Sequence, residues 1–229
     1  MTGAVFSSPG PSGVRGKVLV AASGKGGAGK STTVACLAVA WLTRGKRVAL
    51  VDVDPNLTLS RWHAKGRELS VATLRSERDE NSITGTILEL AETHDVVLVD
   101  CPGFNAQATV FAVGVADLVL IPSMTDEANV FEAKRTQRLV DSASQMSRRL
   151  IPSRALLTRV KRSQVAGHAR QQLESLQVPP LTAQMNDRVI FQEASFFGTS
   201  PAAMEPESPA AQDIHALVLE VEALLWLTP

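Results

Sequence analysis

The sequence predicts an α/β protein, with a mostly parallel twisted sheet flanked by helices on both faces. Short runs rich in Val, Leu and Ile alternate with longer stretches of helical spacing, which is the βαβ pattern. These runs are continuous rather than alternating, which indicates strands covered on both faces. Because 229 residues with 45% apolar content can bury one sizeable core, we expect a single domain.

The individual elements follow from these two patterns. The apolar runs predict strands at Lys17 to Ser23, Arg47 to Asp54, Val96 to Asp100, Leu118 to Pro122 and Ala155 to Val160, with Val71 to Arg75 as a further candidate. Helical spacing predicts helices at Gly29 to Arg44, Ser60 to Glu68, Ser82 to Thr93, Glu127 to Ser147, Ser163 to Leu176 and Ala210 to Leu227.

The N-terminal residues differ in composition from the rest of the chain. Residues Met1 to Lys17 are rich in Gly, Ser and Pro and lack apolar periodicity, so we expect a disordered tail followed by a domain over residues 18–229. The tail has no apolar segment typical of a signal peptide. Cys36 and Cys101 lie among apolar residues, which favours buried thiols in a reducing compartment. The composition therefore predicts a cytoplasmic protein.

A phosphate-binding loop lies between the first predicted strand and the first predicted helix. Gly24, Gly29, Lys30 and Ser31 fit the pattern G-x-x-x-x-G-K-[ST]. In this pattern backbone amides surround phosphates, while the lysine and the hydroxyl serve the outer phosphates and Mg²⁺. The helix N-terminus adds a favourable field for anions. The loop indicates a P-loop NTPase fold, and its phosphate-binding residues are Gly24, Lys25, Gly26, Gly27, Ala28, Gly29, Lys30, Ser31 and Thr32.

Carboxylates follow two of the predicted strands. Asp52 and Asp54 close one apolar run, and Asp100 closes another. In parallel sheets ligands bind at the carboxyl ends of strands, where one carboxylate can hold Mg²⁺ and another can orient an attacking water. A single such aspartate is equally typical of a helix cap or a turn. Three of them beside a phosphate loop favour the catalytic interpretation.

The net charge of zero hides an uneven distribution. Residues 131–172 contain ten basic and two acidic residues, a net charge of +8, whereas residues 205–229 contain five acidic residues and no Lys or Arg. A charged run is often only the solvated face of a helix. When its cations share one face, however, they can neutralise nucleic-acid phosphates. The strongest candidates lie at the end of a predicted strand and directly after it: Arg159, Lys161 and Arg162, with Arg148, Arg149 and Arg170 as further ones.

Three motifs resemble those of the deviant Walker A ATPases, the family of ParA and MinD proteins. They are Lys25-Gly26-Gly27-Ala28-Gly29-Lys30-Ser31-Thr32, Asp52-Val53-Asp54-Pro55 and Asp100-Cys101-Pro102. The resemblance covers the chain from about Lys17 onward. The segment from Asp54 to Trp62 is most similar to short ParA-type partition and positioning ATPases, both ParF-like and McdA-like. Asn56 and Gly103 depart from the family pattern, in which Gln and a second Pro are common.

The resemblance implies ATP and Mg²⁺ as cofactors and a role for each motif residue. Lys30 would bind the β- and γ-phosphates, and Asp54 would position the water. Lys25 would be the signature lysine that reaches the partner's phosphates across an ATP-sandwiched homodimer, by the logic of an arginine finger. The Mg²⁺ site would involve Ser31, Asp52 and Asp100.

The resemblance also implies a function in segregation or positioning. The ATP-bound dimer would bind DNA nonspecifically, and a ParB-like or McdB-like adaptor would stimulate its weak ATP hydrolysis, so we expect a nucleoid-associated protein. The DNA contacts would involve Arg159, Lys161, Arg162, Arg170 and Arg188. The acidic stretch Ala210 to Leu227 argues against binding to anionic membranes. A metabolic P-loop ligase or kinase acting on a small acid is the alternative that the same motifs allow.

Overall fold

The computed structural model describes residues 15–103 and 107–227. Within these ranges the strands are β1 Lys17–Ala21, β2 Val48–Asp52, β3 Thr73–Ser76, β4 Val96–Asp100, β5 Leu118–Ser123, β6 Ser153–Val160 and β7 Pro180–Asn186. The α-helices are α1 Lys30–Thr43, α2 Thr58–His63, α3 Ile83–Thr93, α4 Gln107–Gly114, α5 Glu127–Ser147, α6 Ser163–Ser175, α7 Val189–Phe197, α8 Pro201–Met204 and α9 Pro209–Glu222.

All seven of these strands form one parallel sheet in the order β3-β2-β4-β1-β5-β6-β7. The central strand β1 pairs with β4 on one side and β5 on the other. Because the strands are parallel, their carboxyl ends share one edge, and Asp52 stands in register with Asp100. The predicted parallel α/β fold is therefore confirmed.

Helices cover both faces of the sheet, as the continuous apolar runs predicted. Successive side chains of a strand point to opposite faces. Val18 and Val20 of β1 accordingly join a core formed with α3, α4, α5 and α6. Leu19 and Ala21 join a second core formed mainly with α1 and α9. The phosphate loop thus follows a strand whose last four residues are buried, and it enters a helix that is buried along most of its length.

Several elements were absent from the sequence prediction. They are α4, β7, α7 and α8. β7 is the last strand of the sheet, and its residues alternate between buried and more exposed positions, so it has no continuous apolar run. The helix predicted at Ser60 to Glu68 is shorter, because the chain turns at Gly66 with a φ of 76°. The predicted C-terminal helix corresponds to two elements, α9 and a π-helical turn that follows it over Ala223–Leu227.

The start of the folded chain lies earlier than the predicted boundary. Residues 1–14 of the predicted tail lie outside the described residues. Arg15 forms an ion pair with Asp117 at 2.8 Å, and the Gly16 amide donates to the Ala91 carbonyl at 2.7 Å. Lys17 is already the first residue of β1. Residues 15–17 therefore belong to the folded domain.

Both cysteines are buried and free. Burial raises the pKa of the Cys36 thiol to about 12, and it raises the pKa of Cys101 as well. A thiol with such a raised pKa stays protonated and is a poor nucleophile. The two residues act as small core side chains, as the sequence predicted.

Among the described residues, no helix combines the length and the hydropathy needed to cross a membrane.

Candidate nucleotide site

The phosphate loop joins β1 to α1 in a conformation that depends on glycine. Gly27 and Gly29 have φ values of 78° and 94°, in the left-handed region that most side chains avoid. Gly29 is the N-cap residue of α1 and has no side chain that could accept hydrogen bonds from the first amides of the helix. The first turn of α1 also contains no acidic residue. The first amides of the helix therefore remain available to an anion.

Lys30 is buried at the start of α1, with 6% of its surface exposed. Its ammonium group has one hydrogen-bond acceptor among the described residues, the Lys25 carbonyl, at a long 3.4 Å. A buried cation is stable only when it is paired or well hydrogen-bonded. The phosphates of a nucleotide in the loop would supply that missing partner.

Asp100 ends β4 directly beside the loop and has no exposed surface. Neither carboxylate oxygen accepts a well-formed hydrogen bond from the described residues. Burial, with the nearby charge of Asp52, raises the pKa of Asp100 to about 7, whereas the Ser31 hydroxyl and the Lys30 ammonium oppose this shift. Carboxylate and hydroxyl oxygens are the hard donors that Mg²⁺ prefers. Asp100 and Ser31 therefore fit a magnesium ion.

Asp52 has a different environment, although it is in register with Asp100 and equally buried. Its Oδ1 accepts a hydrogen bond from the Asp54 amide at 3.2 Å. Its Oδ2 accepts from the Ser60 amide and hydroxyl, at 2.8 and 2.7 Å. Burial nevertheless raises the pKa of Asp52. Asp52 thus holds the segment that carries Asp54 against the end of β2, a positioning role that the sequence analysis did not predict.

Asp54 lies at the mouth of a cavity of about 270 Å³. Its Oδ1 accepts a hydrogen bond from the Asn56 amide at 2.8 Å, which closes a tight turn. The same cavity is lined by residues of the phosphate loop, including Lys30 and Ser31. The structure thus brings Asp54 to the phosphate end of the site, where a water-positioning carboxylate would act.

A second cavity, of about 170 Å³, continues from the phosphate loop toward β7. The two cavities share Gly29, Thr32, Trp62 and Arg159. Both apolar and polar side chains line the second cavity, a mixture that suits a nucleobase. The residues beyond the shared ones are Thr158, Met185, Asn186, Asp187, Arg188, Phe191, Gln192 and Ser195. Most of them belong to β7 and α7, which the sequence did not predict.

Lys25 differs from Lys30 in being exposed. Its side chain makes no hydrogen bond or ion pair within the part of the chain that the structure describes. The preceding residue, Gly24, is closely covered by α5: a Cβ atom there would lie 1.9 Å from the Glu132 Oε1 atom. The loop therefore rests on α5 at Gly24 and presents Lys25 to the solvent.

Two of the predicted DNA contacts are used inside the fold. The Arg170 guanidinium donates to the carbonyl oxygens of Leu181 and Thr182 and to Gln184 Oε1, the last two at 2.9 and 3.0 Å. The Arg188 Nε donates to Asp213 at 3.1 Å. Internal acceptors therefore hold the Arg170 guanidinium and the Arg188 Nε atom, so both side chains are less available to DNA than the exposed cations of the same segment.

The other three predicted DNA contacts share one groove of about 640 Å³, beside the nucleotide cavities. Arg159, Lys161 and Arg162 are all exposed. Lys161 lies 3.5 Å from Asp187, an ion pair that solvent weakens. Apolar, neutral polar and acidic side chains complete the groove: Met124, Thr125, Asp126, Val165, Asp187 and Gln192.

Comparison with known proteins agrees with this geometry. The profile of the CobQ/CobB/MinD/ParA nucleotide binding domain matches residues 19–201. The chain is 29% identical over 206 residues to the maintenance of carboxysome distribution protein A of Halothiobacillus neapolitanus, covering 89% of this chain and 95% of that protein. It is 32% identical over 181 residues to the protein virC1 of Rhizobium radiobacter, covering 76% and 78% of the two chains.

Solved structures share the fold. Apo McdA from Cyanothece superposes with a TM-score of 0.75 at 19% identity, covering 91% of this chain and 98% of that one. MinD from Pyrococcus horikoshii in complex with Mg-ADP gives a TM-score of 0.71 at 20% identity, covering 91% and 96%. The chain belongs to the CobQ/CobB/MinD/ParA nucleotide-binding family, and it is an ATPase that uses ATP and Mg²⁺.

Proposed function

We propose that this ATPase forms an ATP-sandwiched dimer, binds DNA nonspecifically and positions a cargo through partner-stimulated hydrolysis. The observation that supports the proposal is that the Lys25 side chain is exposed and has no partner among the described residues. Since the buried Lys30 would serve the phosphates of its own loop, the phosphate end needs no second lysine from the same chain. An exposed lysine without a partner among the described residues is instead available to the nucleotide of a second copy.

Within one protomer, different residues would bind the phosphates, hold Mg²⁺ and orient the attacking water. The loop amides and Lys30 bind the phosphates, while Ser31 and Asp100 hold Mg²⁺, which neutralises charge on the β- and γ-phosphates when bound. Asp54 orients the water, and Asp52 keeps Asp54 in place through its contacts with Ser60. The partner's copy of Lys25 supplies the last cation, so hydrolysis stays weak until a dimer forms.

The groove that contains Lys161 and Arg162 is the proposed DNA surface. It lies at the carboxyl edge of the sheet next to the nucleotide cavities, so a dimer joined at this edge brings two such grooves together. Exposed cations that neutralise phosphates give an affinity that falls steeply with salt and does not depend on sequence. DNA binding would therefore follow the ATP-bound dimer.

The names of the relatives support a positioning role, since one maintains carboxysome distribution and another is named ParA. A ParB-like or McdB-like adaptor would stimulate hydrolysis and link the ATPase to its cargo. The protein would then be cytoplasmic and associated with the nucleoid.

The test compares two lysines of the same loop. Lys25→Ala should bind ATP about as well as the unmodified protein, yet lose ATP-dependent dimerisation in sizing experiments and most hydrolysis. Lys30→Ala should lose nucleotide binding itself. Equal effects of the two substitutions would contradict the sandwich dimer.

DNA binding needs its own measurement, with random-sequence duplex at fixed salt. ATP should strengthen binding for the unmodified protein and leave it unchanged for Lys25→Ala. If ATP changes nothing, and a small acid accelerates ATP consumption instead, the protein is a metabolic ligase or kinase.

A further inference from the structure

We propose that Arg159 contacts the bound nucleotide and thus belongs to the ATP site. The sequence groups Arg159 with the DNA-binding cations, because it lies two residues before Lys161 in the basic segment. The inference rests on the nucleotide-binding part of the proposed function and is independent of its DNA-binding part.

The position of Arg159 separates it from its basic neighbours. Arg159 lines the phosphate cavity together with Lys30 and Ser31, and it also lines the second cavity together with Asn186. Lys161 and Arg162 border neither cavity and line only the groove. A side chain that borders both nucleotide cavities stands at their junction. In a nucleotide that fills both, this junction is where the phosphates join the ribose.

The charge of Arg159 is not compensated by the fold. Among the described residues its guanidinium has no hydrogen bond and no ion pair, although it is exposed at the rim of the cleft. Asp187, the carboxylate that borders the second cavity and the groove with it, is paired with Lys161 at 3.5 Å. Arg170 and Arg188 of the same region are held by internal acceptors. Arg159 is therefore a free cation that faces a polyanion site.

The backbone holds Arg159 in an unusual conformation. Its φ is 50°, in the left-handed region that arginine seldom adopts. The β6–β7 register shifts between Leu157 and Val160, an irregularity that can redirect a side chain near a binding site. The preceding Thr158 hydroxyl donates to the Ala28 carbonyl of the phosphate loop at 2.8 Å. Arg159 is thereby fixed relative to the loop that binds the phosphates.

A guanidinium at this junction can form two parallel hydrogen bonds with phosphate oxygens. The ligand class is a nucleoside di- or triphosphate. Because Arg159 stands where the base cavity meets the phosphate loop, we expect it to contribute to ADP and ATP alike. Lys25, in contrast, should matter only for the state in which two protomers share ATP.

The experiment measures binding of a fluorescent ADP analogue with Mg²⁺ at fixed salt. Arg159→Gln should weaken ADP binding about tenfold to a hundredfold, the range expected for a lost charge-assisted hydrogen bond. The matched control is Arg162→Gln, an exposed arginine of the same segment, which should bind ADP within about twofold of the unmodified protein. In titrations with random-sequence DNA at saturating Mg-ATP, Arg162→Gln should reduce the salt slope by about 1, and Arg159→Gln should not.

A second variant separates the lost contact from a damaged fold. Arg159→Gly relieves the left-handed strain, so it should melt at the same temperature as the unmodified protein or higher, and it should still bind ADP weakly. Arg159 is excluded from the nucleotide site if both variants bind ADP as tightly as the unmodified protein. Failure of the proposed DNA function would appear separately, as DNA binding that does not respond to ATP while the ADP result stands.

Discussion

Aspartates at the amino edge of the sheet are paired with arginines and backbone amides, whereas two charged residues at the carboxyl edge have no such partner in the described part of the chain. At the amino edge, Asp117 accepts from Arg15 at 2.8 Å and from the Val18 amide at 2.7 Å. Asp95 likewise binds the side chain and the amide of Arg47, at 2.7 and 2.8 Å. At the carboxyl edge, Asp100 has no well-formed partner among the described residues, and Arg159 has none either.

The difference shows which edge is built for a ligand. The fold is able to pair its charges, as the amino edge demonstrates, and hydrogen bonds from Arg47 lower the pKa of Asp95. Burial without such a partner raises the pKa of Asp100 to about 7. An unpaired buried charge is unfavourable. Its presence at the carboxyl edge is explained if phosphates and Mg²⁺ pair with it when they bind. Substitutions at the two edges should therefore affect different properties.

The largest effect is expected for Lys30→Ala at the carboxyl edge. Removing the buried ammonium takes away the cation at the outer phosphates, and ATP affinity should fall about a hundredfold or more, at the upper end of the range of about 1.5–3 kcal/mol for one charged hydrogen bond. Isothermal titration calorimetry with Mg-ATP measures the loss. Lys46→Ala is the matched control at the amino edge, where Lys46 lies over the Trp226 ring, and it should leave affinity unchanged. A comparable loss in both variants would contradict the division between the edges.

The next effect concerns stability and pH in the metal-free protein. Asp100 has a folded pKa of about 7, raised above its unfolded value, so its contribution to stability is present at low pH and is lost as pH rises through 7. Asp100→Asn should therefore raise the melting temperature in EDTA by several degrees at pH 8 and by less at pH 5. The same variant should no longer be stabilised by Mg-ATP.

The matched substitution at the amino edge should have the opposite sign. The pKa of Asp95 is lowered in the folded state, so its contribution is present above its unfolded pKa and is lost on acidification. Asp95→Asn should lower the melting temperature at pH 8. Thermal unfolding of both variants at the two pH values measures the contrast, and equal gains for Asp100→Asn at pH 5 and pH 8 would contradict it.

Local signals explain what the sequence could predict. The central strands are continuous apolar runs, and the glycine pattern of the loop needs no tertiary contact to be recognised. Lys30, Ser31, Asp54 and Asp100 were all predicted from position, and the structure brings them to one edge. In contrast, β7 has alternating burial at the sheet margin, α4 is a short helix without a clear apolar stripe, and α7 has only nine residues, so they were missed.

Contacts between distant elements explain the rest. Asp52 and Asp100 look alike as carboxylates at strand ends, and the contacts of Asp52 with Ser60 and with the Asp54 amide distinguish them. Arg170 was predicted to contact DNA, but its guanidinium is captured by the main chain of β7. Such outcomes depend on the register and packing of two elements, which a single segment of sequence does not encode.

A moderate effect is expected for Asp117→Ala at the amino edge. The substitution leaves the Val18 amide and the Arg15 guanidinium without their acceptor, and Arg149 loses a weaker partner at 3.8 Å. We expect a loss of about 1–3 kcal/mol in the free energy of unfolding, measured by urea titration. ADP affinity should stay the same, since Asp117 lies at the edge opposite to the site. A loss of ADP affinity without a loss of stability would show that the two edges are coupled.

The smallest effect is expected for the ion pair between Arg47 and Asp95. Their side chains are 38% and 30% exposed, so solvent screens the attraction despite the short 2.7 Å contact. A double-mutant cycle with Arg47→Ala and Asp95→Ala should give a coupling energy below about 1 kcal/mol in urea unfolding. The coupling should fall further in high salt, as expected for an exposed pair. A coupling of several kcal/mol would mean that pairing at the amino edge is a main source of stability, and the lack of a partner for Asp100 and Arg159 among the described residues at the carboxyl edge would then cost correspondingly more.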